Sequence, residues 1–381
     1  MDFSWDADQT RLKERVVQFA QQELTGAVAA MDRQEEFDRG GWEKCGEFGI
    51  HGLPIPKDYG GGGIDPLTTI YALEGLGYGC KDNGLIFSIH AHMWGCEIPI
   101  LAFGTEAQKQ QYLPRLCRGK LIGAHAVSES GSGSDAYGLA TTAEKKGNKY
   151  LLSGGKIFVT NGPVADVVVV FATLDRAKGA RAITAFLVER DFPGFSVTRK
   201  VEKMGLRTAA MGELALENCA VPAENRLGQE GAGIAIFTRS MEWERSCIVA
   251  SAVGAMERQL ENCIRYARQR RQFGKPIGKF QLVASKIVDM KTRLETAKTL
   301  LYKVGWLKKE GRSVLMEASL AKLYISESWV QSCLDAIQIH GGYGYLTEFE
   351  VERELRDALG SRLYSGTSEI QRLIIGQCLG L

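Results

Sequence analysis

The chain has 381 residues, of which 45% are hydrophobic, 24% charged and 9% aromatic, a composition that excludes disorder and collagen-like folds. A formal net charge of +2 argues against a general polyanion-binding role, so no nucleic-acid partner is expected. Nine scattered cysteines without CxxC, and five histidines without HExxH, speak against a disulfide scaffold and a zinc site, and no metal is expected.

The first residues, Met1 to Val16, are charged and lack an apolar signal core. Apolar runs such as Val167 to Ala172 are far shorter than the roughly 20 residues of a membrane span. A reduced, cytoplasmic protein with no membrane contact is the expectation. Residues 1–120 read as helical, with Leu12, Val16, Phe19, Ala20 and Leu24 near helical spacing. Gly60 to Gly63 reads as a loop, because no strand precedes it and GxGxxG is absent. Residues 121–230 change texture. Short β-rich runs (Tyr150–Leu152, Val167–Phe171, Ile183–Val188, Phe195–Val197) are separated by Gly, Asn and Pro. Residues 231–381 return to long helices. Val283, Ile287, Met290, Leu294, Ala297, Leu301 and Val304 form one expected core stripe, and Leu320, Leu323, Val330, Leu334 and Ile337 a second. The plan is α+β: helices, a β unit, then a helical bundle.

Four stretches carry chemistry. Ser128 to Asp135 alternates serine and glycine; it suits either a flexible turn or a backbone that approaches a phosphate-bearing ligand. Arg270 to Pro276 follows a helix bearing Arg265 and Arg268. It reads as a solvated helix end or as a site for phosphates or an acidic partner. His340 to Tyr345 is a glycine-rich helix end. Tyr364 to Glu369 opens the last helix, with Thr367 or Ser368 as its N-cap.

Together, in this order, these stretches resemble the acyl-CoA dehydrogenase family over essentially the whole chain. Lys156-Ile157-Phe158-Val159-Thr160-Asn161-Gly162 is similar to its K-x-W-I-T-N-x, and Lys203-Met204-Gly205-Leu206-Arg207 to its K-M-G-x-R. Arg356-Asp357 and Gly366-Thr367-Ser368-Glu369 extend the likeness. The resemblance implies an N-terminal helical domain (1–120), a middle β-barrel (121–230) and a C-terminal four-helix bundle (231–381). It implies FAD, with Val127, Ser128, Gly133 and Ser134 along the flavin and pyrophosphate, and Phe158 and Thr160 against the ring. Arg271, Phe273, Gln281, Gln338, Gly341 and Gly342 would reach FAD across a subunit interface, and Thr367 and Glu369 would close on its adenosine part. At least a dimer follows, and a homotetramer is common in the family.

The family takes a proton from Cα of an acyl thioester and passes hydride from Cβ to flavin. Many members place the basic carboxylate directly before the last G-T-S, where this chain has Ser365. The isovaleryl and long-chain branches place it before an arginine, which matches Glu244 ahead of Arg245. Glu244 also shares helical spacing with Phe237, Met241, Ile248, Ser251 and Ala255, and a glutamate on an apolar face is paired or functional. The alternative is a surface glutamate paired with Arg245 or Arg239. Arg245 is expected at the pantetheine arm, with Ser134 and Ser365 beside the substrate. The sequence is most similar to the prolyl-carrier-protein dehydrogenases and oxidases. This implies a prolyl group on an acyl or peptidyl carrier protein as substrate in secondary metabolism, with Arg265, Arg268, Arg270, Arg271 and Lys275 available to help dock the acidic carrier. A short branched-chain acyl-CoA dehydrogenase, an enzyme for another tethered group, and a non-catalytic relative are the alternatives. The electron acceptor would be dioxygen or an electron-transfer flavoprotein.

Overall fold

The structure is a computed structural model that describes residues 4–24 and 26–381. The helices before the sheet are α1 (Ala7–Glu23), α2 (Val28–Gln34), α3 (Arg39–Phe48), α4 (Pro66–Gly79), α5 (Asn83–His92), α6 (Ile98–Phe103) and α7 (Glu106–Cys117). Local chemistry sets their starts. Asp6 and Thr105 each close a capping box with a glutamine three residues on, and Asp65 caps α4 ahead of Pro66. A π-turn, Met93–Glu97, joins α5 to α6. The continuous stretch Asn83–Phe103 is long and apolar enough by composition to cross a bilayer, but most of it is buried inside the protein as a core helix.

The sheet contains β1 (Gly123–Ala126), β2 (Thr142–Lys146), β3 (Lys149–Thr160), β4 (Val167–Thr173), β5 (Ile183–Glu189), β6 (Phe195–Lys200), β7 (Met211–Pro222) and β8 (Arg226–Leu227). The order is β6-β7-β3-β2-β4-β5-β8, with β1 parallel to β4. Inward residues of β1 to β5 and β7, such as Ala124, Leu152, Val168, Phe186 and Leu214, meet in one enclosed core. Ladder hydrogen bonds leave β6 and β8 as the ends of the path. β4 is buried along its whole length, because its other face packs Val167, Val169 and Phe171 against helices.

Beyond the sheet come α8 (Gly233–Cys247), α9 (Ala250–Gln269), a hairpin of β9 (Arg271–Gln272) and β10 (Lys275–Pro276), then α10 (Gln281–Lys309), α11 (Leu315–His340), α12 (Val351–Gly360) and α13 (Ser368–Cys378). The helices on both sides of the sheet share one hydrophobic core. α4 crosses α9 closely enough that a Cβ on Gly77 would lie 2.0 Å from the Ser251 carbonyl oxygen, and one on Gly254 2.0 Å from that of Glu74. All nine cysteines are free thiols.

Two expectations about the bundle divide. Met290, Leu294, Ala297, Leu301 and Val304 are buried as the first stripe requires. The second stripe is mixed: Val330 is buried in the core and Leu323 and Ile337 are half-buried, but Leu320 and Leu334 are exposed, and the buried face of α11 combines Ile325, Trp329, Val330 and Ile339 with small and polar residues such as Ala318, Ala321, Lys322, Ser326, Cys333 and Ala336. The inner face of α11 thus mixes large and small side chains, as close helix–helix packing requires, and it does not run through Leu320 and Leu334.

The Lys203–Arg207 and Arg356–Asp357 motifs lock onto each other. The Asp357 carboxylate accepts from the Leu206 N–H (2.6 Å) and from Asn83 Nδ2 (3.0 Å), and a Cβ on Gly205 would strike the Arg356 carbonyl at 2.2 Å. Burial pushes the Asp357 carboxyl up to about 7 from 3.8. The folded state therefore holds a proton that the unfolded chain has released. This group's stabilisation is complete below about pH 4 and is lost as pH rises through about 7. Melting temperatures measured from pH 5 to 8 are expected to fall less steeply in Asp357→Asn than in the parent. Parallel curves would rule out Asp357 as the source.

Candidate active site

Glu244 and Arg245 lie in the last turn of α8. The helix does not continue through Ser251 and Ala255 as the spacing suggested. It stops at Cys247 and restarts at Ala250, so Ser251 and Ala255 belong to α9. No proline or glycine marks the break. Glu244 is half-buried and keeps partial solvent exposure. Burial raises its carboxyl above the usual range, while the Ser365 hydroxyl, then the Arg245 and Lys322 cations, oppose that rise.

Neither arginine weighed as a surface partner binds this carboxylate: Arg239 pairs with Glu242, which Lys308 also holds at 2.7 Å. The partner is Ser365, whose Oγ donates to Glu244 Oε1 at 2.5 Å. Arg245 Nε donates to the Ser365 carbonyl at 3.1 Å, so this arginine also braces the loop before α13. The site thus forms where α8, α11 and the α12–α13 loop meet. Tyr364 packs on Phe87 of α5, with ring centroids 4.6 Å apart. On the same face of α8, one helical heptad back, Phe237 packs near Tyr137, Phe171 and His125 and gives the region an aromatic wall.

A second group surrounds the serine-glycine loop. This loop is not a free turn. Glu129 is buried; it accepts from the N–H groups of Ala140 (2.5 Å) and Thr141 (3.0 Å) and pairs with the buried Lys156 at 2.7 Å. Lys156 also donates to the Val127 carbonyl at 3.1 Å, and the Ile157 N–H to that of Ser128 at 2.9 Å. Sequence reasoning passed over Glu129. The signal available was an acid inside a small-residue loop matched by a lysine in an apolar strand. Among the described residues, the N–H groups of Gly131, Gly133 and Ser134 and the hydroxyls of Ser128, Ser134 and Thr160 have no partner. A Cβ at Gly131 or Gly133 would meet open space.

Phe158 sits in a register shift of the β3–β7 ladder, with φ +55°, and 62% of its surface is exposed. A bulge re-aims a side chain out of the alternation, and here it brings an aromatic ring to the surface. Bare glycine backbone, unpartnered amides and hydroxyls, and an exposed ring suit a flavin with its pyrophosphate. Thr367 caps α13, and its hydroxyl accepts from the Ile370 N–H at 3.3 Å; Glu369 is exposed beside it.

The third group lies at the far end of the bundle. Arg271, Phe273, Gln281, Gln338, Gly341 and Gly342 are all exposed, Phe273 at 92%. The hairpin and the α11 end are neighbours: Arg270 stacks on Tyr343 at 5.4 Å, and Tyr266 stacks on His340 at 4.2 Å. Among the described residues, no hydrogen bond, ion pair or ring contact joins this group to Ser128–Ser134, Phe158 or Glu244.

Three segments match profiles of one family: "Acyl-CoA dehydrogenase, N-terminal domain" (6–120), "middle domain" (124–219) and "C-terminal domain" (231–380). The chain belongs to the acyl-CoA dehydrogenase family, and its cofactor is FAD. It is 41% identical over 382 residues, the full length of both chains, to an L-prolyl peptidyl-carrier-protein dehydrogenase of Pseudomonas fluorescens. The structure is similar to the crystal structure of the prolyl acyl carrier protein oxidase AnaB, with a TM-score of 0.98 and 59% identity, covering 99% of this chain and 100% of that one. It is also similar to PigA with FAD and proline, with a TM-score of 0.98 and 38% identity over 100% of both chains.

Proposed function

We propose that this protein is an FAD-dependent oxidase or dehydrogenase of a prolyl group tethered as a thioester to a carrier protein in secondary metabolism. The observation that carries the reading is the Glu244 carboxylate, largely desolvated by the surrounding protein and held by Ser365. A base for a carbon acid must be ionised, desolvated and close to Cα. Glu244 takes the proton from Cα. FAD, when bound, supplies acceptance of the hydride from Cβ. Ser128, Gly133, Ser134, Phe158 and Thr160, together with Val127, would hold it. Arg245, with the rest of its guanidinium uncommitted, takes the polar arm of the thioester. The likeness to proteins named for prolyl carrier substrates supports the substrate class.

The separation of the bundle-end group from the flavin cradle supports a site completed by a second copy, so that Arg271, Phe273, Gln281, Gln338, Gly341 and Gly342 serve the neighbour's FAD. Exposed leucines at positions 282, 320, 334 and 373 supply apolar surface for that contact.

The test is anaerobic bleaching of the flavin band near about 450 nm in the FAD-loaded protein. A prolyl-loaded carrier protein is expected to bleach it and isovaleryl-CoA to leave it coloured. The reverse pattern would make the protein a branched-chain acyl-CoA dehydrogenase. Admitting air afterwards assigns the acceptor: rapid recolouring means dioxygen, and its absence an electron-transfer flavoprotein.

A further inference from the structure

We propose that Ser365 is a positioning residue whose hydroxyl aims Glu244 and keeps it ionised, and that Lys322 and Gln371 are built to hold Ser365 in that pose. The inference rests on the reading of Glu244 as the base.

Ser365 has φ +58°. A non-glycine residue persists in that left-handed region only where its surroundings over-determine it. They do so here. Gln371 Nε2 donates to the carbonyls of both Ser365 (3.1 Å) and Gly366 (2.8 Å). Lys322 Nζ donates to the Gly366 carbonyl at 2.8 Å, and Arg245 Nε to that of Ser365 at 3.1 Å. Gln371 and Lys322 are fully buried. Burying a lysine with no carboxylate partner is costly, yet this one is spent on a backbone carbonyl one residue from Ser365. Three side chains from three helices therefore grip one dipeptide.

The dipeptide presents the Ser365 O–H to Glu244 Oε1 at 2.5 Å. A carboxylate accepts that bond better than a carboxylic acid does, so the contact favours the charged form and counters the burial that disfavours it. It also leaves the second carboxylate oxygen free for a proton. Lys322 adds a positive charge near the carboxylate; burial and then the Arg245 guanidinium bring its own ammonium down to about 8.

The experiment follows the rate of anaerobic flavin reduction against pH in the holoenzyme, for the parent, Ser365→Ala and Ser365→Gly. Both variants lack the hydroxyl, but glycine adopts φ +58° without strain and alanine does not. If the hydroxyl is the working part, the acidic limb of the rate profile moves to higher pH in both variants. Rates on that limb then fall by about tenfold or more, the worth of a hydrogen bond to a charged group. Above the limb the loss is much smaller. A parental profile in Ser365→Gly, or a loss equal at every pH in both variants, overturns the proposal and leaves Ser365 a backbone element. Glu244→Gln, run alongside, tests the underlying reading separately: if it reduces flavin at the parental rate, the base is elsewhere whatever Ser365 does.

Discussion

Glu244→Gln is expected to bind FAD and turn yellow like the parent, and to lose flavin reduction by about 10²–10⁴-fold, the range assigned to a general base. Glutamine keeps the volume, and its amide oxygen can still accept from Ser365, so the fold and the grip on the α12–α13 loop should survive. What it cannot do is take a proton from Cα. The pH dependence gives a second signature. Burial raises the Glu244 carboxyl above its usual range, and the base works only when ionised. The parental rate should rise with pH through that raised value, and the variant should lack this limb. Single-turnover mixing with a prolyl-loaded carrier protein, without oxygen, reads both. Parental speed in the variant would favour the non-catalytic relative or another base. Glu242 is a poor substitute, because Lys308 and Arg239 hold it as a paired anion below the usual range despite its burial.

Much of this site was legible in the sequence because its chemistry is local. A glutamate before an arginine at apolar spacing, and a serine before G-T-S, are one-dimensional facts. That the two touch is not: they stand 121 positions apart, and only packing of α8 against the α12–α13 loop brings them together. The same limit explains the misread stripe on α11. Periodicity finds an apolar face but cannot say whether the protein's own core or another surface covers it, and Leu320 and Leu334, which share the period of the buried Val330, lie outside. The end of α8 was unreadable for another reason. Cys247, Ile248 and Val249 carry no breaker, so the interruption comes from tertiary packing rather than propensity. Phe158 shows a third limit. Ile157, Phe158 and Val159 are three apolar residues in a row that do not show which of them faces out, and the register shift that exposes the ring depends on β7, more than fifty residues away.

Lys156→Met should cost the protein both stability and cofactor. The Lys156 ammonium is fully buried, 2.7 Å from Glu129 and 3.1 Å from the Val127 carbonyl. Burial alone would raise the Glu129 carboxyl; the Lys156 ammonium and the loop's donors hold it below the usual range instead. Burial also draws Lys156 down, only partly offset by Glu129, so each charge depends on the other for its place in the interior. Removing one partner of a buried pair costs about 3–5 kcal/mol, because the other charge is left uncompensated, whereas removing both costs far less. Lys156→Met should therefore melt well below the parent and purify with little FAD, since the Ser128–Asp135 loop loses its anchor. Lys156→Met combined with Glu129→Gln should recover much of the melting temperature, because no lone charge remains. Its FAD content should recover less, because the anchor to Val127 is still gone. Melting curves and the ratio of flavin to protein absorbance across the parent, the two single variants and the double variant measure both effects. A double variant no more stable than Lys156→Met would mean that the loss comes from the lysine's packing, and not from the charge stranded on Glu129.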